Sequence, residues 1–304
     1  SVRVVQSPAG ETAGESDPLE PAVEVPGLER LLVQSTDPVD PMETGRILGA
    51  ALFPAQVLEL FERCRSMLGE DDMLRIRLHS ADDKLLSLPW ELSYLPRADG
   101  SSYGDFLLRD PQISLVRHAT QPVANDLSPT AGRPLKVLAL LFGQSSEPTA
   151  DVAAQWNTLQ RSLSALPDVE LSTITNPTRA QITEALSQPA HVVHLIGAKL
   201  REQLDMPPAI LLNGPEGQGE FWSLGYHPWT RSGTRLLVVG DGTSDRDANG
   251  IWTWLRLIET GVPAVLHVPA EMNDTAAVQL YEAVYIALSD EFPVDAAVAQ
   301  GRRA

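Results

Sequence analysis

The sequence predicts an α/β protein whose central sheet is mostly parallel and is covered by helices on both faces. Two observations carry this prediction. Runs such as Lys136–Phe142 and Pro263–Val268 are almost continuously apolar, which is typical of strands buried on both faces. Segments with helical spacing alternate with these runs, as βαβ units require. At 304 residues, with 43% apolar and 21% charged side chains, the chain is long enough for one large or two ordinary domains.

The N-terminal part is a mixture of helical and strand patterns. Residues 7–28 are rich in Pro, Glu, Gly and Ser, so we predict a disordered tail or linker over residues 1–28. Residues 41–69 are predicted to be helical, with a break near Pro54. Two strands are then predicted, Leu74–His79 from its alternation of apolar and polar residues, and Ile113–His118.

A boundary is predicted at residues 119–134, which are rich in Pro, Ser, Thr and Asn. It separates an N-terminal part, residues 29–130, from an α/β core, residues 131–304. In the core we predict a Pro/Gly-rich insertion at about 205–220. After the first core strand, the predicted order is helix 150–166, strand Val169–Ile174, helix 178–187, strand His191–Ile196, strand Arg235–Val239, helix 249–260, strand Pro263–Val268 and helices 273–289 and 294–303.

Composition excludes several classes of function. The formal charge of −17 disfavours nucleic acid and anionic membranes as partners, and is compatible with a protein partner. No apolar run is long enough to span a bilayer, and the first residues do not form a signal peptide. The single cysteine, Cys64, allows no internal disulfide, so we expect a cytoplasmic protein. Cys64 lies in a helical pattern, and we interpret it as a small packed residue.

Two loops at strand ends are the candidate site on fold grounds. In open α/β sheets, ligands bind beyond the carboxyl ends of the strands. The strands that end at Ile196 and Val239 are followed by Gly197-Ala198-Lys199 and Gly240-Asp241-Gly242, with Thr243 and Ser244 next in the chain.

Several short motifs resemble those of the CHAT domain family. Leu86-Ser87-Leu88-Pro89-Trp90-Glu91-Leu92 resembles its Leu-Pro-Trp-Glu-Leu signature, Gly261–Val265 its Gly-Val-Pro-Ala-Val strand, and Phe292–Gln300 its final helix. Phe106–Leu108 and Ser114–Arg117 follow the first motif at the expected distance. The resemblance covers residues 30–304. It implies a caspase-haemoglobinase-like three-layer sandwich, the fold of clan CD cysteine peptidases, with an N-terminal α/β extension.

The resemblance also implies catalytic positions, which are vacated in this chain. The family has Gly-His-Gly and Asn-Ala-Cys-x-Ser at the two strand ends, so its histidine falls at position 198 and its cysteine at position 242. Here these are Ala198 and Gly242, and Lys199 replaces the second glycine. Thiolate attack and imidazole proton transfer need both missing groups. Because Lys199, Gly240 and Asp241 also depart from the motif, natural loss is favoured over engineered inactivation.

A replacement catalytic pair is poorly supported. Ser244 matches the family's serine, and His194 lies four residues before position 198. That spacing places His194 two pleats back, roughly 13 Å along the strand. The chain contains no Gly-x-Ser-x-Gly elbow. We therefore interpret His194 as an ordinary strand histidine.

Two other groups of residues are candidates for binding. Asp245, Asp247 and Asn249, with Gly250, match the first half of a calcium-binding EF-hand loop, but Arg256 stands where the bidentate glutamate belongs. We favour a polar loop that caps the following helix, and predict no resident cofactor or metal. The aromatic residues of the insertion are interpreted as packing groups, with binding anchors as the alternative. They are Trp222, Tyr226, His227 and Trp229.

The function predicted from these observations is protein binding without catalysis. The chain would be a pseudoprotease that scaffolds or regulates a partner, such as an active protease or an NTPase, in a bacterial defence-type system. The strand-end residues would form its cleft, with Trp222 and Trp229 beside them. The alternatives are an inactivated variant of a cysteine peptidase and a ligand- or calcium-sensing domain.

Overall fold

The computed structural model describes most of the chain in fourteen ranges: residues 27–33, 40–95, 104–118, 133–143, 150–198, 200–203, 206–213, 219–224, 229, 232–240, 257, 262–268, 272 and 274–303. The chain divides into two compact units, Ser1–His118 and Ala119–Ala304.

Unit 1 contains short helices and two small sheets. Its elements are α1 (Leu28–Val33), α2 (Pro41–Leu52), α3 (Ala55–Ser66), β1 (Leu74–His79), α4 (Asp83–Leu86), a 3-10 helix (Trp90–Leu92), β2 (Tyr94–Leu95), β3 (Asp105–Phe106), a second 3-10 helix (Leu107–Arg109) and β4 (Ile113–His118). Strands β1 and β4 pair in parallel, and β2 and β3 pair antiparallel.

The helix ends of unit 1 follow from local chemistry. Asp40 caps α2 by accepting a hydrogen bond from the backbone N–H of Met42 at 3.0 Å, and Pro41 occupies the first turn. Pro54 separates α2 from α3, because proline ends one helix and suits the start of the next. The predicted break at Pro54 is therefore confirmed, as are strands β1 and β4.

Unit 2 alternates strands and helices as predicted. Its elements are β5 (Leu135–Leu141), α5 (Ala150–Ser164), β6 (Val169–Thr175), α6 (Arg179–Ala185), β7 (Val192–Ile196), β8 (Leu200–Gln203), β9 (Met206–Asn213), β10 (Gly219–Ser223), β11 (Leu236–Gly240), β12 (Ala264–Val268), α7 (Asp274–Ser289) and α8 (Val294–Gly301). The predicted helix 249–260 lies outside the described residues except for Leu257, which is helical and fully buried.

The central sheet of unit 2 has five parallel strands in the order β12-β11-β7-β5-β6. Alternate residues of β5, β7 and β11 enter two apolar clusters, one on each face. On the first face, α5, α7 and α8 cover the sheet. On the second face, the cluster includes Ile182 of α6, Leu257 and residues of β9 and β10. This arrangement buries both faces of the three inner strands β5, β7 and β11, which is why their sequences are almost wholly apolar.

The predicted insertion at 205–220 contains more regular structure than its composition indicated. Strands β8, β9 and β10 form a three-stranded antiparallel sheet in which β9 is central. The prolines that suggested a loop, Pro207 and Pro208, are the second and third residues of β9, ahead of the apolar run Ala209–Leu212. Proline is tolerated at the start of a strand, where ladder hydrogen bonds are fewest.

Candidate functional site

The two predicted strand ends lie side by side. Strands β7 and β11 are adjacent and parallel, and Gly240 pairs in register with Ile196. The N–H of Gly197 donates to the carbonyl of Gly240 at 3.3 Å, which extends the pairing by one residue. Gly197 has a φ of +69°, a left-handed conformation that favours glycine.

Ala198, at the position that the resemblance assigns to the catalytic histidine, is fully buried at 0% exposure. It belongs to the apolar cluster of the second face, together with Val193 and Leu195. Strand alternation alone would place residue 198 on the same face as His194. The left-handed turn at Gly197 breaks the alternation and directs Ala198 to the opposite face.

Gly240, at the end of β11, is required by a close approach of Tyr281 from α7. A Cβ atom on residue 240 would overlap the phenol oxygen of Tyr281. The same Cβ would lie 3.7 Å from Nε2 of His194. The space next to this strand end is therefore filled by an aromatic side chain from α7.

His194 lies at the centre of a buried aromatic group beneath the strand ends. Its ring is 0% exposed and meets Tyr281 edge-on at a centroid distance of 4.6 Å. Nδ1 is 3.1 Å from the phenol oxygen of Tyr285, and the ring of Trp156 stands 6.5 Å away. Burial lowers the pKa of His194 to about 3, so the ring is neutral at physiological pH. The His194 ring has no access to solvent or to a substrate. Its burial therefore supports the interpretation of His194 as a structural residue.

The structure places the two tryptophans of the predicted cleft inside the core. Trp222 and Trp229 are 6% and 0% exposed, and their rings pack edge-on at 5.8 Å. Nε1 of Trp229 donates to the carbonyl of Leu224 at 3.0 Å, so its polar atom is satisfied internally. These contacts support the packing interpretation over the alternative of binding anchors, because a binding anchor needs an accessible face.

The remaining predicted site residues lie outside the described residues. For the cleft these are Lys199, Asp241, Gly242, Thr243 and Ser244, and for the calcium loop Asp245, Asp247 and Asn249. In the ranges that are described, no group of three or more histidine, cysteine, aspartate or glutamate side chains is arranged to hold a metal ion. None of the helices in those ranges has the length and apolarity that a bilayer crossing requires.

The chain's cysteine and its most specific motif both belong to unit 1. Cys64 is 3% exposed within α3. The motif Leu86–Leu92 is tied to β4 by Arg117, whose guanidinium donates to Glu91 through both terminal nitrogens and to the carbonyls of Leu86 and Leu88 at 2.7 and 2.8 Å. Nε1 of Trp90 donates to a backbone carbonyl, that of Leu85, at 2.7 Å. The charged and aromatic residues of the motif thus hold a turn in place, which is a structural role.

Comparison with known proteins identifies a matching family. A family model described as CHAT domain matches residues 43–304, which is most of the chain and includes both strand ends and the motif of unit 1. No curated protein matches the chain.

Proposed function

This chain belongs to the CHAT domain family, whose fold is caspase-like, and from that premise we propose that it is an inactive member that acts by binding a protein partner. Ala198 carries the proposal. A methyl group enclosed by the apolar cluster of the second face stands where the resemblance expects an imidazole.

The missing chemistry is specific. Peptide hydrolysis by this family would need a thiolate nucleophile and an imidazole that transfers protons to and from it. Residue 198 is alanine and residue 242 is glycine, and neither side chain can ionise.

Other residues of the chain are poorly placed to substitute for the missing pair. The single cysteine, Cys64, is 3% exposed, and His194 is 0% exposed with a pKa of about 3. A base that must accept a proton near neutral pH needs a pKa closer to 7. Because both side chains are buried, neither can contact a peptide substrate in the folded chain.

A peptidase assay tests the inactivity directly. The full chain is incubated with an unfolded protein substrate and with a mixed peptide library, and the products are identified by mass spectrometry. We expect no cleavage. Cleavage that a thiol-alkylating reagent abolishes would overturn the proposal, because it would require Cys64 to act as a nucleophile.

The proposed partner is a protein, either an active protease or an NTPase, in a bacterial cytoplasmic defence-type system. Lys199 and Asp241 flank the vacated positions, and their opposite charges would fix the direction of a bound peptide. Immobilised chain is used to capture partners from the native host, beside the variant Asp241→Ala and the control Asp71→Ala, which removes an exposed carboxylate in unit 1. Equal capture by all three would overturn the role of Asp241.

A further inference from the structure

Four polar residues form a row across the amino end of the central sheet of unit 2. Lys136 of β5 pairs in register with Glu170 of β6. His191 and Arg235 directly precede β7 and β11, at the same level of the sheet, and the N–H of Arg235 donates to the carbonyl of His191 at 2.9 Å. Because residues in register on parallel strands point to the same face, the amino-end row runs Arg235, His191, Lys136, Glu170 along one face.

His191 lies between the two cations of the amino-end row. Its Nδ1 accepts a hydrogen bond from the backbone N–H of Lys136 at 3.1 Å. A neutral ring that accepts at Nδ1 carries its proton on Nε2, so Nε2–H is a donor. Burial lowers the pKa of His191, the charges of Arg235 and Lys136 lower it further, and Glu170 raises it. The ring is therefore neutral at physiological pH.

The positive charge of the amino-end row is concentrated at its Arg235 end. Arg235 is half-buried, and its Nε is enclosed without a hydrogen-bond partner in the described part of the chain. Glu170 belongs to the other end of the row, where one of its carboxylate oxygens lies 3.7 Å from Nζ of Lys136. Three strand spacings separate Glu170 from Arg235, which is about 14 Å. At that distance the carboxylate neutralises the guanidinium poorly.

We propose that Arg235, His191 and Lys136 bind a phosphate group, either as the free ion or as the monoester of a small metabolite. Their backbones span two strand spacings, about 10 Å, and the long side chains of arginine and lysine can reach across the ring between them. Guanidinium, imidazole N–H and ammonium offer donors to three oxygens, which a tetrahedral phosphate has and a planar carboxylate lacks.

Charge limits the size of the ligand. The chain has 40 acidic and 23 basic residues, so a polyanion such as a nucleic acid would be repelled over most of the surface. A compact phosphate experiences mainly the local field of the amino-end row. Lys136 can turn to it at little cost, because its ion pair with Glu170 joins side chains that are 35% and 58% exposed and such pairs contribute little.

This inference is independent of the proposed function. The amino-end row and the strand-end cleft lie at opposite ends of the same strands. Cleavage in the peptidase assay would overturn the proposed function and leave phosphate binding untouched. A failed phosphate titration would overturn this inference alone.

The test is a titration of the full chain with sodium phosphate near neutral pH, at constant ionic strength set with sodium chloride. The Cε1–H signals of the six histidines are followed by NMR, and His191→Gln assigns the signal of His191. We expect a saturable shift of that signal, and a pKa of His191 that rises by about half a unit or more because a bound anion favours the charged ring. A signal that does not respond would overturn the proposal.

Arg235→Gln should raise the dissociation constant for phosphate by about tenfold or more, because it removes the charged donor. The matched control is Arg161→Gln, which removes the same charge from an exposed arginine of α5 and should change binding by less than about twofold. Circular dichroism checks the fold of each variant. If Arg235→Gln does not fold, Lys136→Gln takes its place and should weaken binding by about threefold or more. Equal weakening by the Arg161 variant would overturn the proposal.

Two further probes identify the source of the phosphate. O-phosphoserine is a small phosphate monoester, and acetate is a carboxylate of similar size to inorganic phosphate. Tighter binding of O-phosphoserine than of inorganic phosphate would support the monoester, and the reverse would support the free ion. Acetate that binds as tightly as inorganic phosphate would overturn the proposal, because a carboxylate can pair with Arg235 alone.

Discussion

The phenol oxygen of Tyr285 lies 3.1 Å from Nδ1 of His194, and this hydrogen bond joins two side chains that are sealed from solvent. Burial lowers the pKa of His194 to about 3 and, with the nearby Tyr281, raises the pKa of Tyr285 well above its ordinary value. Both groups are therefore neutral across the physiological range. Nε2 of His194 has no hydrogen-bond partner among the described residues, which adds to the cost of charging the ring.

We expect acid to destabilise the protein through His194. The ring titrates near 6.5 in the unfolded chain and near 3 in the folded one, so between these values the unfolded state binds the additional proton. Stability is therefore highest above pH 6.5 and falls as the pH decreases toward 3. The maximal slope from this group is about 1.4 kcal/mol per pH unit. Urea unfolding of unit 2 within the full chain, at a series of pH values, measures this slope.

His194→Gln is the control for this slope, because glutamine keeps a polar side chain and does not titrate. The pKa of His191 is also lowered, mainly by burial and then by Arg235 and Lys136. Because His191 is present in both proteins, its contribution to the pH dependence cancels in the comparison. If the free energies of unfolding of the unmodified chain and of His194→Gln change in parallel between pH 6.5 and 4, His194 does not cause the loss of stability in acid.

Replacing Gly240 with alanine should destabilise unit 2 by about 1–3 kcal/mol, because the added Cβ overlaps the phenol oxygen of Tyr281. Removing that oxygen with Tyr281→Phe should make Gly240→Ala less costly. A double-mutant cycle on the free energy of unfolding measures this coupling. Strictly additive effects would show that the two residues do not compete for space.

Arg117 should stabilise unit 1 more than an ordinary surface arginine. Its side chain is 10% exposed, and it donates to Glu91 and to two backbone carbonyls. Lysine lacks the planar guanidinium group that makes these hydrogen bonds simultaneously. Arg117→Lys should therefore lower the free energy of unfolding of unit 1 by about 1–3 kcal/mol.

The matched variant for Arg117→Lys is Arg109→Lys, since Arg109 is 73% exposed and pairs only with Asp105 among the partners found in the described ranges. Its cost should stay below about 0.5 kcal/mol. Amide hydrogen exchange within Leu86–Leu92 reports both effects locally. Similar exchange rates in the two variants would contradict the special role of Arg117.

The strands of the central sheet could be predicted because burial on both faces leaves a local signature. Leu135–Leu141 and Val192–Ile196 fall within one residue of their predicted bounds. The sheet formed by β8, β9 and β10 was missed, since its prolines and glycines dominate a composition-based analysis. Its apolar run at Ala209–Leu212 was the signal that could have identified it.

The site was less predictable than the fold because its geometry depends on single backbone angles and distant contacts. Strand alternation alone would place Ala198 on the same face as His194, and the left-handed φ of Gly197 reverses this. The approach of Tyr281 to Gly240 joins residues far apart in sequence, so no local pattern reports it. The burial of Trp222 and Trp229 likewise depends on the whole second-face cluster.

Ala198→His should destabilise unit 2 by about 2–4 kcal/mol. Ala198 has no exposed surface and its cluster is apolar, so an imidazole would overfill the space and bury a polar group without a partner. The control is Ala154→His at an exposed position of α5, which should cost less than about 1 kcal/mol. Thermal and urea unfolding measure both.

The same substitution, combined with Gly242→Cys, restores the two side chains that the family resemblance expects. Because the histidine at 198 has no room beside Val193 and Leu195, we expect no peptide cleavage from the double variant. The result that would contradict this expectation is a stable double variant that cleaves peptides. It would mean that the backbone still holds the catalytic geometry and that only two side chains separate this chain from an active peptidase.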